Sequence, residues 1–342
     1  MEINDFHNPD SVWTWRPNPR RHKASLWLPY FEKVERLPKG KGDRYVFYYN
    51  GGEVQAHLKE IDFLMFYGAS GNLDLEFLDK LNSYKIPLMI HRRNLDTPYL
   101  FFPQSNVDAS DILTKQILTR ENEIKCCYLA RTLLRERFRH FEKYFLCNTY
   151  IHKLRKVRSI KEIRNIEALL TKAYWKRWFS EIGLTGMVRR QDPQDKHPVN
   201  EALDAASFFF YGIMLRWILF HKLSPYHGFL HEPSSYTSLV FDLMEPYRYI
   251  LEDTVKEASL KIPSEEYKKS LTAITLNILK EKMETKIFVP QTRQEVKLKN
   301  LLHGIVLALR SYLINETARF VVPTEGIKKG GRPLKLKYRL PG

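Results

Sequence analysis

The run Asp111-Ile-Leu-Thr-Lys-Gln-Ile-Leu-Thr-Arg-Glu-Asn-Glu-Ile-Lys-Cys-Cys-Tyr-Leu-Ala-Arg-Thr-Leu-Leu-Arg-Glu-Arg-Phe-Arg-His140 holds neither proline nor glycine, and its apolar residues recur at helical spacing. It carries Lys115, Arg120, Lys125, Arg131, Arg135, Arg137 and Arg139. The helical period begins near Ala109 and mostly persists from there. Upstream the pattern is different. Short runs rich in aromatic and branched residues, separated by turn formers, predict strands over 24–28, 33–37, 44–49, 53–58 and 62–67, and again at Pro87–Ile90 and Pro98–Phe102. Asn50-Gly51 suits a tight hairpin turn. Asn72 or Asp74 suits the cap of a helix carrying Leu75, Leu78 and Leu81. The fold class expected is α+β. An N-terminal arm (1–23) precedes a β-rich domain (24–108), then comes a larger all-α domain (109–326), and a basic flexible tail (327–342) follows it.

Within the helical part, Ser159-x-x-Glu162 reads as a capping box opening a helix to about Phe179. Pro198 opens a very apolar helix at the position where proline is tolerated. Its span from Ala202 to Phe220 is interrupted by Asp204 and Arg216, which would be costly in lipid, so a core helix is expected. The helix bearing Asp242 and Glu245 is expected to run on through Pro246 to about Leu260. Helices over 264–284 and 298–318, with a small hairpin between them, complete the reading.

The 342 residues favour two domains. Lys and Arg number 55 against 39 Asp and Glu, a net +16, which points to a polyanionic partner, nucleic acid first. Cys126, Cys127 and Cys147 lack zinc-finger spacing and are expected to be reduced and buried. The first residues, Met1 to Phe6, have neither the basic nor the apolar region of a signal peptide, so the cytoplasm is the expected compartment.

The chemistry gathers in Pro225-Tyr-His-Gly-Phe-Leu-His231 and Phe241-Asp-Leu-Met-Glu-Pro-Tyr-Arg248. A turn-rich loop delivers His231, and Asp242 and Glu245 share one helix face. Carboxylates beside an imidazole suit a divalent cation. Taken singly, His231 is more often a structural histidine, Asp242 and Glu245 a solvated pair, and Glu167, with Tyr174 seven residues on, a solvated helix residue. His227 and His231 have zinc-like spacing, but Ser235 stands where a second H-E-x-x-H histidine is needed, and Pro225 and Gly228 oppose a regular helix. Lys39-Gly-Lys-Gly42 lacks the ending of a phosphate-cradling loop.

Four stretches, Glu167-Ala168 with Tyr174-Trp175, His197-Pro-Val-Asn200-Glu-Ala-Leu203, Leu223 to His231, and Asp242 to Arg248, resemble the CRISPR-associated integrase family of the spacer-adaptation machinery, the Cas-one family. His197 replaces a frequent aspartate and Ala168 a frequent glycine. The resemblance implies a metal-dependent DNA endonuclease and integrase. In it a 3′-hydroxyl of a DNA fragment attacks a phosphodiester of a CRISPR repeat. It implies Glu167, His231 and Glu245 as ligands of Mg2+ or Mn2+, with Asp242 auxiliary to them. It also implies a homodimer formed through the β-rich domain, double-stranded DNA as substrate, and a Cas-two partner protein. Tyr174, Arg177, Arg189, Arg190 and Arg248 are the expected DNA contacts near the metal. The alternatives are a non-catalytic DNA-binding scaffold and a structure-selective metal-dependent nuclease.

Overall fold

Turn formers end the aromatic runs as expected, giving strands Trp13–Trp15 (β1), Ala24–Pro29 (β2), Phe31–Arg36 (β3), Arg44–Tyr49 (β4), Gly52–His57 (β5), Ile61–Tyr67 (β6), Leu88–His91 (β7) and Tyr99–Phe101 (β8). Helix Leu75–Tyr84 (α1) lies between β6 and β7, and Asp74 rather than Asn72 caps it, accepting from the Glu76 N–H. The computed structural model describes residues 13–15, 24–38, 42–50, 52–92, 98–103, 111–145, 147–189, 191, 196–231, 236–328, 334, 336 and 338–341. It divides into two units, Met1–Ala109 and Ser110–Gly342.

In the first unit β1-β2-β6-β7-β8 form a mixed sheet, with β2, β6 and β7 parallel and the outer strands antiparallel. The sheet β3-β4-β5 is antiparallel, with Tyr49 opposite Gly52 across the expected hairpin. Phe31, Phe47 and Phe66 from the sheets and Phe77 and Leu81 from α1 share one core, and Phe31 stacks on Phe66 at 4.0 Å. The side chains that alternate inward are the branched and aromatic ones, which is why this pattern was legible.

The second unit is helical: Asp111–Glu121 (α2), Glu123–Phe141 (α3), Asn148–Lys156 (α4), Ile160–Glu181 (α5), Pro198–Phe220 (α6), Ser238–Met244 (α7), Arg248–Lys261 (α8), Tyr267–Glu284 (α9) and Lys299–Leu313 (α10). Hairpin Lys286–Val289 (β9) and Gln294–Lys297 (β10) precedes α10. The opening run is two helices, because Asn122 leaves helical geometry and its side chain caps α3 at the Lys125 N–H. Helix α4 is an addition to the expected layout. Ser159 is the N-cap of α5 but makes no side-chain capping bond. His197 takes over the cap of α6, its ring nitrogen accepting from the Val199 N–H.

Helix α6 has the length and apolarity of a membrane span, yet it packs inside the unit, with Ala206, Phe210, Met214 and Ile218 fully buried. Asp204 is paired with Arg189 and Lys196. The continuous helix expected through Pro246 is instead interrupted. Helix α7 ends at Met244, a 3-10 turn holds Glu245–Tyr247, and α8 starts at Arg248. Proline lacks the donor an α-helix interior needs, and the 3-10 turn accommodates it. The tail also differs from a solvated segment where it is described. Tyr338 and Leu340 are buried, Asn300 donates to the Pro341 carbonyl, and Gly304 leaves the slot that Leu340 fills. The cysteines are free and buried, as expected.

Candidate active site

A buried glutamine fixes the loop that carries the imidazole. Gln116 of α2 donates to the carbonyls of Ser224 and His227 at 2.9 and 2.8 Å and accepts from the Ser224 N–H at 2.9 Å. Ser238 of α7 accepts from the Gly228 N–H at 3.0 Å and donates to the Tyr226 carbonyl at 2.8 Å. A side chain at Gly228 would meet the Asp242 carboxylate at 2.6 Å and the Ser238 backbone at 2.9 Å. Only glycine lets the loop lie this close to α7.

Asp242 is completely buried. Its Oδ2 accepts the N–H groups of Phe229 and Leu230 at 2.5 and 2.9 Å. Its Oδ1 takes the His231 N–H at 3.1 Å and lies 2.7 Å from His231 Nδ1. The carboxylate therefore shapes the loop backbone and turns the ring, leaving Nε2 as the imidazole's available ligand atom. Burial lowers the His231 pKa, but the Asp242 bond and charge, with Glu245, outweigh it and the net direction is up.

Glu245, in the 3-10 turn, is buried between two guanidinium groups. Arg248 donates through Nε to Oε1 at 2.6 Å, and Arg137 Nε forms an ion pair with Oε2 at 3.0 Å. Burial opposes its charge, and Arg248, Arg137 and His231 together reverse that, so its pKa falls below the ordinary carboxylate value. Arg137 also bonds Glu252 at 3.0 Å, whose other oxygen accepts the Tyr174 hydroxyl at 2.7 Å.

Glu167, on α5, keeps one hydrogen-bond partner among the described residues, the Thr171 hydroxyl at 3.2 Å. Burial and then the Glu245 charge raise its pKa, while His231 and Arg137 lower it. Glu167 thus feels the charges of Glu245 and His231, although it lies far from both in sequence. Two carboxylates, Glu245 buried and Glu167 half-buried, and an imidazole turned by its neighbour are the donor types that a hard divalent cation takes. Among the described residues no three His, Cys, Asp or Glu side chains are gathered at metal-ligand spacing.

The expected DNA contacts fare differently. Tyr174 is 2% exposed, stacks on Phe141 at 4.3 Å and spends its hydroxyl on Glu252; it is a core residue, and the expectation of a DNA contact is corrected. Arg177 is exposed and donates to the Tyr144 carbonyl at 2.7 Å. Arg189 pairs with Asp204, and Arg248 is taken up by Glu245. Arg190 lies outside the described residues. His227 bonds Ser224 at 2.7 Å and His231 is held by Asp242, while Glu232 and Ser235 lie outside the described residues.

Sequence reasoning missed Arg137, Glu252 and Gln116. Arg137 stood in the run as one cation among seven, and only partners over a hundred residues away mark it as buried.

Residues 33–283 match the family described as CRISPR associated protein Cas1. The CRISPR-associated endonuclease Cas1 of Pyrococcus horikoshii is 25% identical over 211 residues, which is 58% of this chain and 65% of that protein. The matched part thus spans just under two thirds of that relative's length. A casposase bound to its integration product is similar in fold, with a TM-score of 0.70 at 21% identity, covering 86% of this chain and 92% of that one. A chain of a Cas6-RT-Cas1–Cas2 complex gives a TM-score of 0.68 at 11% identity, covering 92% of this chain and 37% of the other. With over half of its residues matched by that family and the same two-part fold, this chain belongs to the Cas1 family.

Proposed function

We propose that this protein is a metal-dependent DNA endonuclease and integrase that joins the 3′-end of a DNA fragment to a CRISPR repeat by transesterification. The observation that carries this reading is the hold of buried Asp242 on His231, its Oδ1 2.7 Å from the ring Nδ1, with Glu245 three residues on in the same short segment of a chain of the Cas1 family. Glu167, His231 Nε2 and Glu245 would hold Mg2+ or Mn2+. When bound, that ion supplies a Lewis acid that polarises the scissile phosphate and favours the deprotonated 3′-hydroxyl.

The chain's own residues do the rest. Asp242 sets the tautomer of His231 and keeps its ring from rotating. Arg137, braced by Glu252, keeps Glu245 ionised in a buried place. Arg177 offers an exposed charge to a phosphate, and the +16 surplus draws the polyanion in. Partners follow the same reading: double-stranded DNA, a second copy joined through the β-rich unit, and a Cas2 protein, the last supported by the fold shared with a chain of a Cas1–Cas2 assembly.

Incubation with Mn2+, a duplex fragment bearing 3′-hydroxyls and a repeat-containing plasmid tests the proposal. New fragment–plasmid joints are expected. Glu167→Ala and His231→Ala should abolish them while duplex binding stays near wild type. Cuts without joints would identify a nuclease, and DNA binding with neither product would identify a scaffold.

A further inference from the structure

Glu245 presents a difficulty for the reading just given. Both of its oxygens are occupied by cations of the protein itself, Oε2 by Arg137 and Oε1 by Arg248. The two arginines are not equivalent. Arg137 has 4% of its side chain exposed and is tied to Glu252 as well, so it cannot leave without stranding two buried carboxylates. The Arg248 side chain is 22% exposed, and the one hydrogen bond recorded for it among the described residues is the bond to Glu245 Oε1. It opens α8 directly after the Pro246 turn, three residues from the carboxylate it holds. A guanidinium with one foot in solvent and one on a candidate ligand matches phosphate as well as it matches carboxylate.

We propose that Arg248 is a positioning residue that exchanges partners. Without DNA it occupies Oε1 of Glu245 and competes with the divalent cation for that oxygen. When a DNA phosphate enters, the guanidinium transfers to it and frees Oε1. DNA and cation then bind with positive coupling, and by linkage each strengthens the other by the same factor. No covalent bond changes in this exchange. The proposal rests on the metal-dependent reading above and deepens it by naming the residue through which the substrate brings the site together.

The test measures Mn2+ binding by the electron paramagnetic resonance signal of the free ion, with and without a forked duplex ending in 3′-deoxy nucleotides, so that no turnover occurs. The wild-type protein should bind Mn2+ more tightly with the duplex than without it. Arg248→Gln should bind Mn2+ alone about tenfold more tightly, equivalent to about 1.4 kcal/mol, and the DNA-to-metal coupling factor should fall by a similar multiple. Arg248→Lys keeps the charge but not the guanidinium fork, and should fall between the two. It carries the same test if the Gln variant does not fold, as judged by circular dichroism.

Simple removal of positive charge would tighten Mn2+ equally with and without DNA and leave the coupling factor at its wild-type value; that result overturns the exchange. Unchanged Mn2+ affinity in both variants overturns it too. A wild-type protein that takes up no Mn2+ under either condition, or takes it up equally well as Glu167→Ala, refutes instead the metal-dependent reading on which the exchange rests.

Discussion

Asp242 and His231 are joined twice, the Oδ1 oxygen lying 2.7 Å from the ring Nδ1 and 3.1 Å from the backbone nitrogen of the same residue. One carboxyl oxygen therefore fixes where the imidazole begins and which way it points.

Asp242→Asn should keep most of the loop's shape but weaken its hold on the ring. A loss of about 10–100-fold in Mn2+ affinity or strand joining is expected, the usual scale for a partner behind a ligand. Asp242→Ala should also lower the melting temperature, since it leaves the Phe229, Leu230 and His231 N–H groups unanswered in a buried place. Calorimetry beside a joining assay separates the two. A fully active Asn variant would show that the ring needs no such support.

Gly228→Ala places a carbon 2.6 Å from the Asp242 carboxylate. The loop must then lift from α7, at a cost of about 1–3 kcal/mol. The melting temperature should fall by several degrees and joining should fall with it, because His231 rides on that loop. An Ala variant of wild-type stability and activity would show that the loop has slack.

Tyr174→Phe removes a buried hydroxyl and leaves Glu252 with one fewer donor. The expected result is a stability loss of about 1–3 kcal/mol in denaturant titration. Duplex affinity should be unchanged. Weakened DNA binding at unaltered stability would put the phenol back on the DNA surface.

Three packed imidazoles, His303 buried and His140 and His221 half-buried, make stability depend on acid. Burial, aided by Lys143, Arg137 and Arg139, lowers His140 to about 4; it lies flat on Tyr249 at 3.6 Å. Burial, with Arg310 and Arg216, lowers His221 to about 4, and burial, with His221 and Arg216, holds His303 well below its ordinary value. In the unfolded chain each takes a proton near pH 6.5. Their contribution is therefore complete above about pH 6.5 and is lost as pH falls towards 4. Urea midpoints measured between pH 7.5 and 4.5 should drop on the acid side, less steeply than these rings alone would give because His231, with its raised pKa, works in the opposite direction. A flat profile would mean that the rings are accessible in the folded state.

The strand half was legible because its evidence is local: branched and aromatic residues lie between turn formers, and the Asn50-Gly51 hairpin is marked by two adjacent residues. The apolar centre of α6 was legible for the same reason. The loop around His231 could be recognised by likeness but not by physics, since the pull of Asp242 on three N–H groups depends on a fold that brings α7 under the loop. Arg137 and Tyr174 went astray in opposite senses from one cause. A cation in a basic run looks solvated and a tyrosine among cations looks available, until Glu245 and Glu252 arrive from α8 and its preceding turn to bury both. The tail reads as solvated from its composition, and only the missing side chain at Gly304 shows where Leu340 goes.

His231, Asp242 and Glu245 belong to one short stretch of chain, bound together by its own hydrogen bonds, whereas Glu167 stands on α5. On the proposed reading, the site would be a two-piece instrument, a jaw held by its own bonds and a single finger on a separate helix. Its setting reduces to one distance, and a spin-label pair spanning α5 and α7 would read that distance directly as DNA is added.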